Sequence, residues 1–218
     1  MNDTRVLVAE GLGTALLLAT IVGSGIMGDT LSGGITGVAL FPHAAAIGAM
    51  LFVLITLLGP ISGAHFNPAV TLIFALRREI RPALARQYVL AQIFGALAGV
   101  WAAHLMFDLS LLQVAVKPRT GLGQWSAEVI ATFGLLLVIL AGLRTRAEAI
   151  PALVGLYIAA ALWFTASTSF ANPAVTIARS LTDTFTGIDP AHAPAFIAAQ
   201  ILGALLAWRL QPWLWPED

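Results

Sequence analysis

The pentapeptide Asn-Pro-Ala-Val-Thr occurs twice in this chain, at residues 67–71 and 172–176. It is one of three landmarks that recur in the same order. Ala9-Glu10-Gly-Leu-Gly-Thr14 is echoed by Ala127-Glu128-Val-Ile-Ala-Thr132, and Ala91-Gln92-Ile-Phe-Gly95-Ala96-Leu97 by Ala199-Gln200-Ile-Leu-Gly203-Ala204-Leu205. Matched order makes this a duplication. Within a single domain, 1–218, a first repeat spans 1–107, a connecting loop 108–124, and a second repeat 125–218. Any fold for the chain has to be built twice from one plan.

Composition sets the medium. Of 218 residues 59% are hydrophobic and 10% charged, with mean hydropathy +0.89. A soluble domain carries about 25% charged residues, so there is too little charge here for a water-facing surface. Disorder and nucleic-acid binding fall for the same reason. The absence of cysteine removes disulfides and thiolate metal sites. A membrane-spanning helix needs about 20 apolar residues. Long uncharged runs at 6–27, 41–58, 84–107, 125–143, 150–166 and 191–210 predict six spans, with loops at 28–40 and 108–124. The opening Met-Asn-Asp-Thr-Arg lacks the cationic stretch and cleavage site of a signal peptide, so the first span reads as retained.

Three spans per repeat is an odd number, so the second repeat is inverted relative to the first, an arrangement that puts a substrate site near the midplane. With the N-terminus inside, Arg5, Arg77, Arg78, Arg81, Arg86, Arg144, Arg146 and Arg209 lie inside, and Lys117, Arg119 and Arg179 outside. This distribution obeys the positive-inside rule with both termini cytoplasmic, in the cell (inner) membrane.

The two Asn-Pro-Ala segments are apolar but about half the length that spanning requires. Asn is a preferred N-cap and Pro favours the first helical position. Both therefore read as re-entrant half-helices starting at Asn67 and Asn172 and dipping in from opposite faces. Irregular backbone at membrane depth must line a cavity or be buried in protein. Two helix N-termini meeting at the midplane bring about half a positive charge each. Cations and protons are repelled there, while the Asn67 and Asn172 amides donate to the oxygen of a neutral solute.

On these residues, Ser62-Gly-Ala-His65-Phe-Asn67-Pro68-Ala69-Val-Thr71, Asn172-Pro173-Ala174, Ala9-Glu10 and its repeat, and Gln92, the chain resembles the major intrinsic protein family of aquaporins and aquaglyceroporins over its whole length. The resemblance implies an all-α membrane protein of six transmembrane helices and two re-entrant half-helices. It also implies a pore in each subunit of a homotetramer in the lipid bilayer, and passive passage of small neutral solutes with no cofactor.

One departure from the family's pattern stands out. The arginine that usually follows the second Asn-Pro-Ala is Val175. The resemblance carries the other selectivity-filter positions to Ile47, Ser169 and, in the fifth span, Leu162 counting from Gly155 or Ala160 counting back from Asn172, with Leu162 preferred. A filter of Ile47, Leu162, Ser169 and Val175 is wide, uncharged and apolar. The run from Trp163 to Arg179 resembles a bacterial aquaglyceroporin branch associated with arsenic resistance, which implies passage of arsenous acid, with methylated arsenicals, glycerol, urea and water as further candidates. A water-selective pore, an ion-coupled carrier and a non-conducting structural protein are the competing readings.

Glu10 and Glu128 are ionisable groups inside spans, a functional signal by default, but their repeat-related positions favour a structural role as acceptors for the pore-loop backbone. His65 is expected at the inner vestibule. Arg179, one turn beyond Val175, is either an outer-vestibule residue that reaches back or a solvated or salt-bridged rim arginine. Trp163 and Phe164 face either the pore or lipid. His43, His65, His104 and His192 have no metal-ligand spacing, and no nucleophile–base pair or phosphate loop marks an enzyme.

Overall fold

The computed structural model describes residues 3–216; the outermost positions assigned to the two repeats, 1–2 and 217–218, lie outside the described residues. Among the described residues eight α-helices follow one another: α1 (Asp3–Leu31), α2 (Thr36–Ser62), α3 (Pro68–Leu76), α4 (Pro82–Met106), α5 (Leu122–Thr145), α6 (Ile150–Phe164), α7 (Pro173–Arg179) and α8 (Ala193–Leu214). Each half has the same order, two long helices, a short one, then a long one. Six segments are long and apolar enough to cross a membrane: α1, α2, α4, α5, α6 with the 3₁₀ turn before it, and α8 with the 3₁₀ turn before it. The protein is an integral membrane protein with an all-helical fold.

Helix boundaries follow from local chemistry. Pro68, Pro82 and Pro173 open their helices, where a missing N–H costs nothing. Gly63 ends α2 in the left-handed conformation at φ +84°, donating its N–H to Gly59 O over 2.9 Å. The loop expected at 28–40 is mostly helix: α1 runs to Leu31 and α2 begins at Thr36. Gly28 belongs to a helix contact, since a Cβ there would lie 2.9 Å from Ala39 O. Similarly, the connecting loop placed at 108–124 ends sooner, because α5 begins at Leu122.

The most extensive helix contacts are α1 with α4 and α5 with α8, the equivalent pair in each half, and α2 packs on α6 across the halves. The first two crossings depend on the paired glycines of the third landmark. A Cβ on Gly95 would collide with the Gly11 carbonyl, and one on Gly203 with the Val129 carbonyl. Small residues let helix backbones approach in lipid, where packing rather than hydrophobic burial holds helices together.

Gly95→Val and Gly203→Val are each expected to force their helix pair apart, at a cost of about 1–3 kcal/mol typical of overpacking. Thermal unfolding in detergent should show a lowered midpoint for both. Gly123→Ala, where nothing lies within 4 Å of the added carbon, should match the parent.

Candidate functional site

The two short helices start at their asparagines. Asn67 is extended (φ −154°) and its Oδ1 accepts from Ala69 N over 2.9 Å. Asn172 is likewise extended (φ −158°), and its Oδ1 accepts from Ala174 N at 2.9 Å and Val175 N at 3.3 Å. Their amide nitrogens cross over. Asn67 Nδ2 donates to Ala171 O at 2.7 Å and Asn172 Nδ2 to Phe66 O at 2.8 Å. Each loop thus holds the other's asparagine. Each amide has two donors; one is spent on this crossing and one is left for the cavity that both asparagines line.

The loops preceding them are held in a conformation L residues seldom adopt. Ala64 (φ +51°), Phe66 (φ +47°), Thr168 (φ +59°), Ser169 (φ +46°) and Ala171 (φ +48°) are left-handed. The N–H groups of Ala64, Thr168 and Ser169 are taken up within their own loops by Ser62 Oγ, Thr165 O and Ser167 Oγ, and those of His65, Phe66, Phe170 and Ala171 go to two fully buried carboxylates. Glu10 Oε1 accepts from Ser62 Oγ at 2.7 Å and His65 N at 2.9 Å; its Oε2 accepts from Phe66 N and Gln92 Nε2, both at 2.8 Å. Glu128 accepts from Phe170 N and Ala171 N at 2.9 Å and from Gln200 Nε2 at 2.6 Å. Gln92 and Gln200 each continue to a threonine on the half-helix, Thr71 at 2.9 Å and Thr176 at 2.8 Å. The carbonyls of residues 63–65 and 168–170 accept no hydrogen bond from the described residues, which leaves them for water or solute hydroxyls.

Opposite these polar loops stand aliphatic walls. A cavity of about 190 Å³ is lined by Ile47, Leu51 and Ile55 of α2 and by Ile150, Val154, Ile158 and Leu162 of α6. Leu17 and Ile21 of α1 and Leu135, Ile139 and Leu143 of α5 complete it. Within each helix the spacing is four residues, one face of a helix. The cavity passes both asparagines. It extends to Phe74, Leu143 and Ile150 at one end of the molecule and to Leu162, Ser169 and Arg179 at the other. One flank offers backbone acceptors and two amide donors, and the rest is hydrocarbon.

Two loops build the end of the cavity beyond Ser169 and Arg179. Residues 113–119 pair with 180–189 through Ala115 N to Ser180 O (3.0 Å), Asp189 N to Lys117 O (2.8 Å) and Lys117 Nζ to Phe185 O (2.8 Å). Arg119 is carried inward by this pairing, donating from Nε to Gly187 O (2.8 Å) and from an Nη to Ser167 O (3.2 Å). Burial pulls the Arg119 guanidinium down to about 10, partly opposed by the Glu128 carboxylate, and it is still cationic at neutral pH. Burial likewise lowers Lys117, with the neighbouring arginines adding to the effect.

The cavity brings together Ile47, Leu162, Ser169, Val175, Asn67, Asn172, His65 and Arg179. His65 packs against Phe74 and Tyr88 with its Nδ1 3.1 Å from Thr71 Oγ1. Pro68, Ala69, Pro173 and Ala174 are buried in the half-helices behind the asparagines. Of the two counts for the fifth span, Leu162 lies on the cavity and Ala160 is exposed on the outside of α6. Trp163 and Phe164 are also on the outside, 50% and 58% exposed. Arg179 is buried, not solvated at the rim. Sequence reasoning missed Phe170, Arg119 and the aliphatic wall. The four-residue spacing of Ile150, Val154, Ile158 and Leu162 signalled the wall; nothing local signalled the other two.

Two half-helices meeting head to head inside six membrane-crossing helices, with one cavity running past them, define a membrane channel for small solutes and not an enzyme. Residues 1–169 match the family described as Major intrinsic protein. The chain is 56% identical over 211 residues to aquaglyceroporin AqpS of Rhizobium meliloti, covering 97% of this chain and 90% of that one. It is 31% identical over 221 residues to aquaporin PIP2-1 of Arabidopsis thaliana, covering 94% and 72%. The X-ray structure of the aquaglyceroporin from Plasmodium falciparum shares the fold, with a TM-score of 0.73 at 21% identity and coverage of 96% and 95%. The chain belongs to the major intrinsic protein family.

Removing either carboxylate strands several buried N–H groups, each worth roughly 1–3 kcal/mol when unsatisfied. Glu128→Ala is therefore expected to collapse the folded yield in detergent, measured by monodisperse elution. Glu128→Gln, which keeps an acceptor oxygen, is expected to be destabilised less.

Proposed function

We propose that this chain is a passive aquaglyceroporin-type channel whose wide, uncharged filter is formed by Ile47, Leu162, Ser169 and Val175. It conducts neutral solutes larger than water: arsenous acid, and with it methylated arsenicals, glycerol and urea, alongside water itself. The observation that carries this reading is Val175 on the cavity wall, directly after Asn172-Pro173-Ala174, where an arginine would narrow the bore and add donors. Ile47 and Leu162 add only hydrocarbon to the same wall. Arsenous acid is neutral at pH 7 and carries three hydroxyls, so it suits a path with amide donors and carbonyl acceptors on one flank. The name of the relative at 56% identity supports the same class.

Passive flow fits the chemistry of the two intramembrane carboxylates. Glu10 is engaged by four donors and Glu128 by three, which ties both to the loops rather than to a shuttled proton. We further propose a homotetramer in the cell (inner) membrane with both termini cytoplasmic, each subunit a single channel domain of two inverted repeats. Support comes from the grouping of charge: Lys117, Arg119 and Arg179 sit at one end, while Arg77 pairs with Glu79 and Arg81 with Asp3 at the other.

The test is flux in proteoliposomes. The parent protein is expected to equilibrate arsenous acid, glycerol and water at rates unaffected by a proton gradient. Accumulation against a concentration gradient would overturn the channel reading, and water flux without arsenous acid or glycerol flux would overturn the wide filter. Val175→Arg should slow glycerol and arsenous acid about tenfold or more and water much less, since one misplaced group in a pocket changes discrimination by about 1–3 kcal/mol.

A further inference from the structure

The arginine missing at residue 175 has a counterpart one helical turn further out. Arg179 is 4% exposed, yet it lines the end of the cavity. Its Nε donates to Thr186 O at 2.5 Å, and its guanidinium lies on the Phe170 ring with Cζ 3.4 Å from the centroid. Its two Nη groups have no acceptor among the described residues, and no carboxylate among them forms an ion pair with it; the pairs Arg77–Glu79 and Arg81–Asp3 are at the other end of the molecule. A buried cation with unpaired donors and no counter-ion is costly unless something else supplies the acceptors.

A second unpartnered group is next to the same ring in sequence. Ser169 Oγ is buried on the cavity wall with no hydrogen-bond partner, in a residue held left-handed. The ring is fixed from several directions. Phe170 N donates to Glu128, Phe196 meets the ring edge-on at 5.1 Å between centroids, and the Arg119 guanidinium lies 5.1 Å from its centroid. Both arginines keep their charge, because a guanidinium does not lose its proton in a protein. Phe170 is thus a platform that holds one arginine at the lumen and is braced by another.

We propose that Arg179, stacked on Phe170, is a second charge-selective element of this channel, ahead of the paired half-helix N-termini, and that it forms with Ser169 Oγ a hydroxyl-binding collar beside the aliphatic constriction. The proposal rests on the passive-channel reading above and deepens it. The permeant class it defines is uncharged molecules with two or more hydroxyls, one accepting from an Arg179 Nη and another meeting Ser169. Cations are rejected at the collar before they reach Val175. Charge selection and size selection, which a single arginine at residue 175 would combine, are separated along the path. The constriction is then free to be wide without the channel becoming a cation leak.

The test uses purified full-length protein in liposomes, with light-scattering rates for water and glycerol and an imposed diffusion potential for potassium and methylammonium. The parent should pass glycerol and neither cation; no neutral flux in the parent would overturn the underlying channel reading, and the collar with it. With parent flux established, Arg179→Met should raise methylammonium permeability about tenfold or more, the effect of removing one unit charge a few ångströms from the path. A measurable water flux from the same liposomes shows that this variant is folded and open. The double variant Val175→Arg/Arg179→Met should exclude cations again while glycerol slows, a rescue that a purely structural Arg179 would not give. Ser169→Ala, a substitution that leaves the fold intact because Ser169 Oγ has no protein partner, should cut the glycerol-to-water ratio about threefold to tenfold through loss of one hydrogen bond. Unchanged cation exclusion in Arg179→Met overturns the charge role. An unchanged ratio in Ser169→Ala overturns the collar, also where Arg179→Met fails to fold.

Discussion

In the partly left-handed stretches that lead into the two half-helices, the N–H groups of His65, Phe66, Phe170 and Ala171 find no acceptor within their own loops and must be met by another part of the protein. Glu10 and Glu128 answer that constraint, and the rest of the channel depends on them. With the N–H groups of His65 and Phe66 turned to one carboxylate and those of Phe170 and Ala171 to the other, the carbonyls on the same stretches are left for the lumen. The loop ends are then fixed closely enough for each asparagine to reach the opposite loop. An intramembrane carboxylate marks a proton path in many transporters; here its oxygens are saturated by the scaffold of the pore.

The lumen that results is two-sided. A solute moving along it exchanges hydrogen bonds with loop carbonyls and the two asparagine amides on one flank and slides over isoleucine, leucine and valine on the other. Hydrocarbon opposite a polar strip keeps a hydroxylated molecule from being held too firmly at any point. Most of the wall comes from positions four residues apart on α1, α2, α5 and α6, so helix phase alone puts these side chains on one stripe. Ile47, Leu162 and Val175 put hydrocarbon on this wall, and Arg179 lines the end of the cavity beyond them.

Much of this was legible in the amino-acid order because it is written twice. Glu10 with Glu128, Gln92 with Gln200 and Asn67 with Asn172 are equivalent landmarks, and each pair makes equivalent hydrogen bonds. Asn-Pro openings gave the short helices their start, since capping is a local matter. Gly28 misled, because a glycine that marks a loop and one that lets two helices touch are the same letter. The fifth-span count was ambiguous for want of a landmark in the shortened loop; helix phase puts Leu162 on the cavity and Ala160 on the outside. The Phe170 platform was beyond reach: it depends on residues 113–119 pairing with 180–189, loops far apart in sequence with no repeat to announce them.

The crossed asparagine bonds have a mechanical meaning as well. Because Asn67 holds the Ala171 carbonyl while Asn172 holds that of Phe66, the two halves are buckled to each other at the very place where a rocking transporter would have to shear. Alternating access would break both bonds in every cycle. The midsection is therefore a stiff throat of fixed bore.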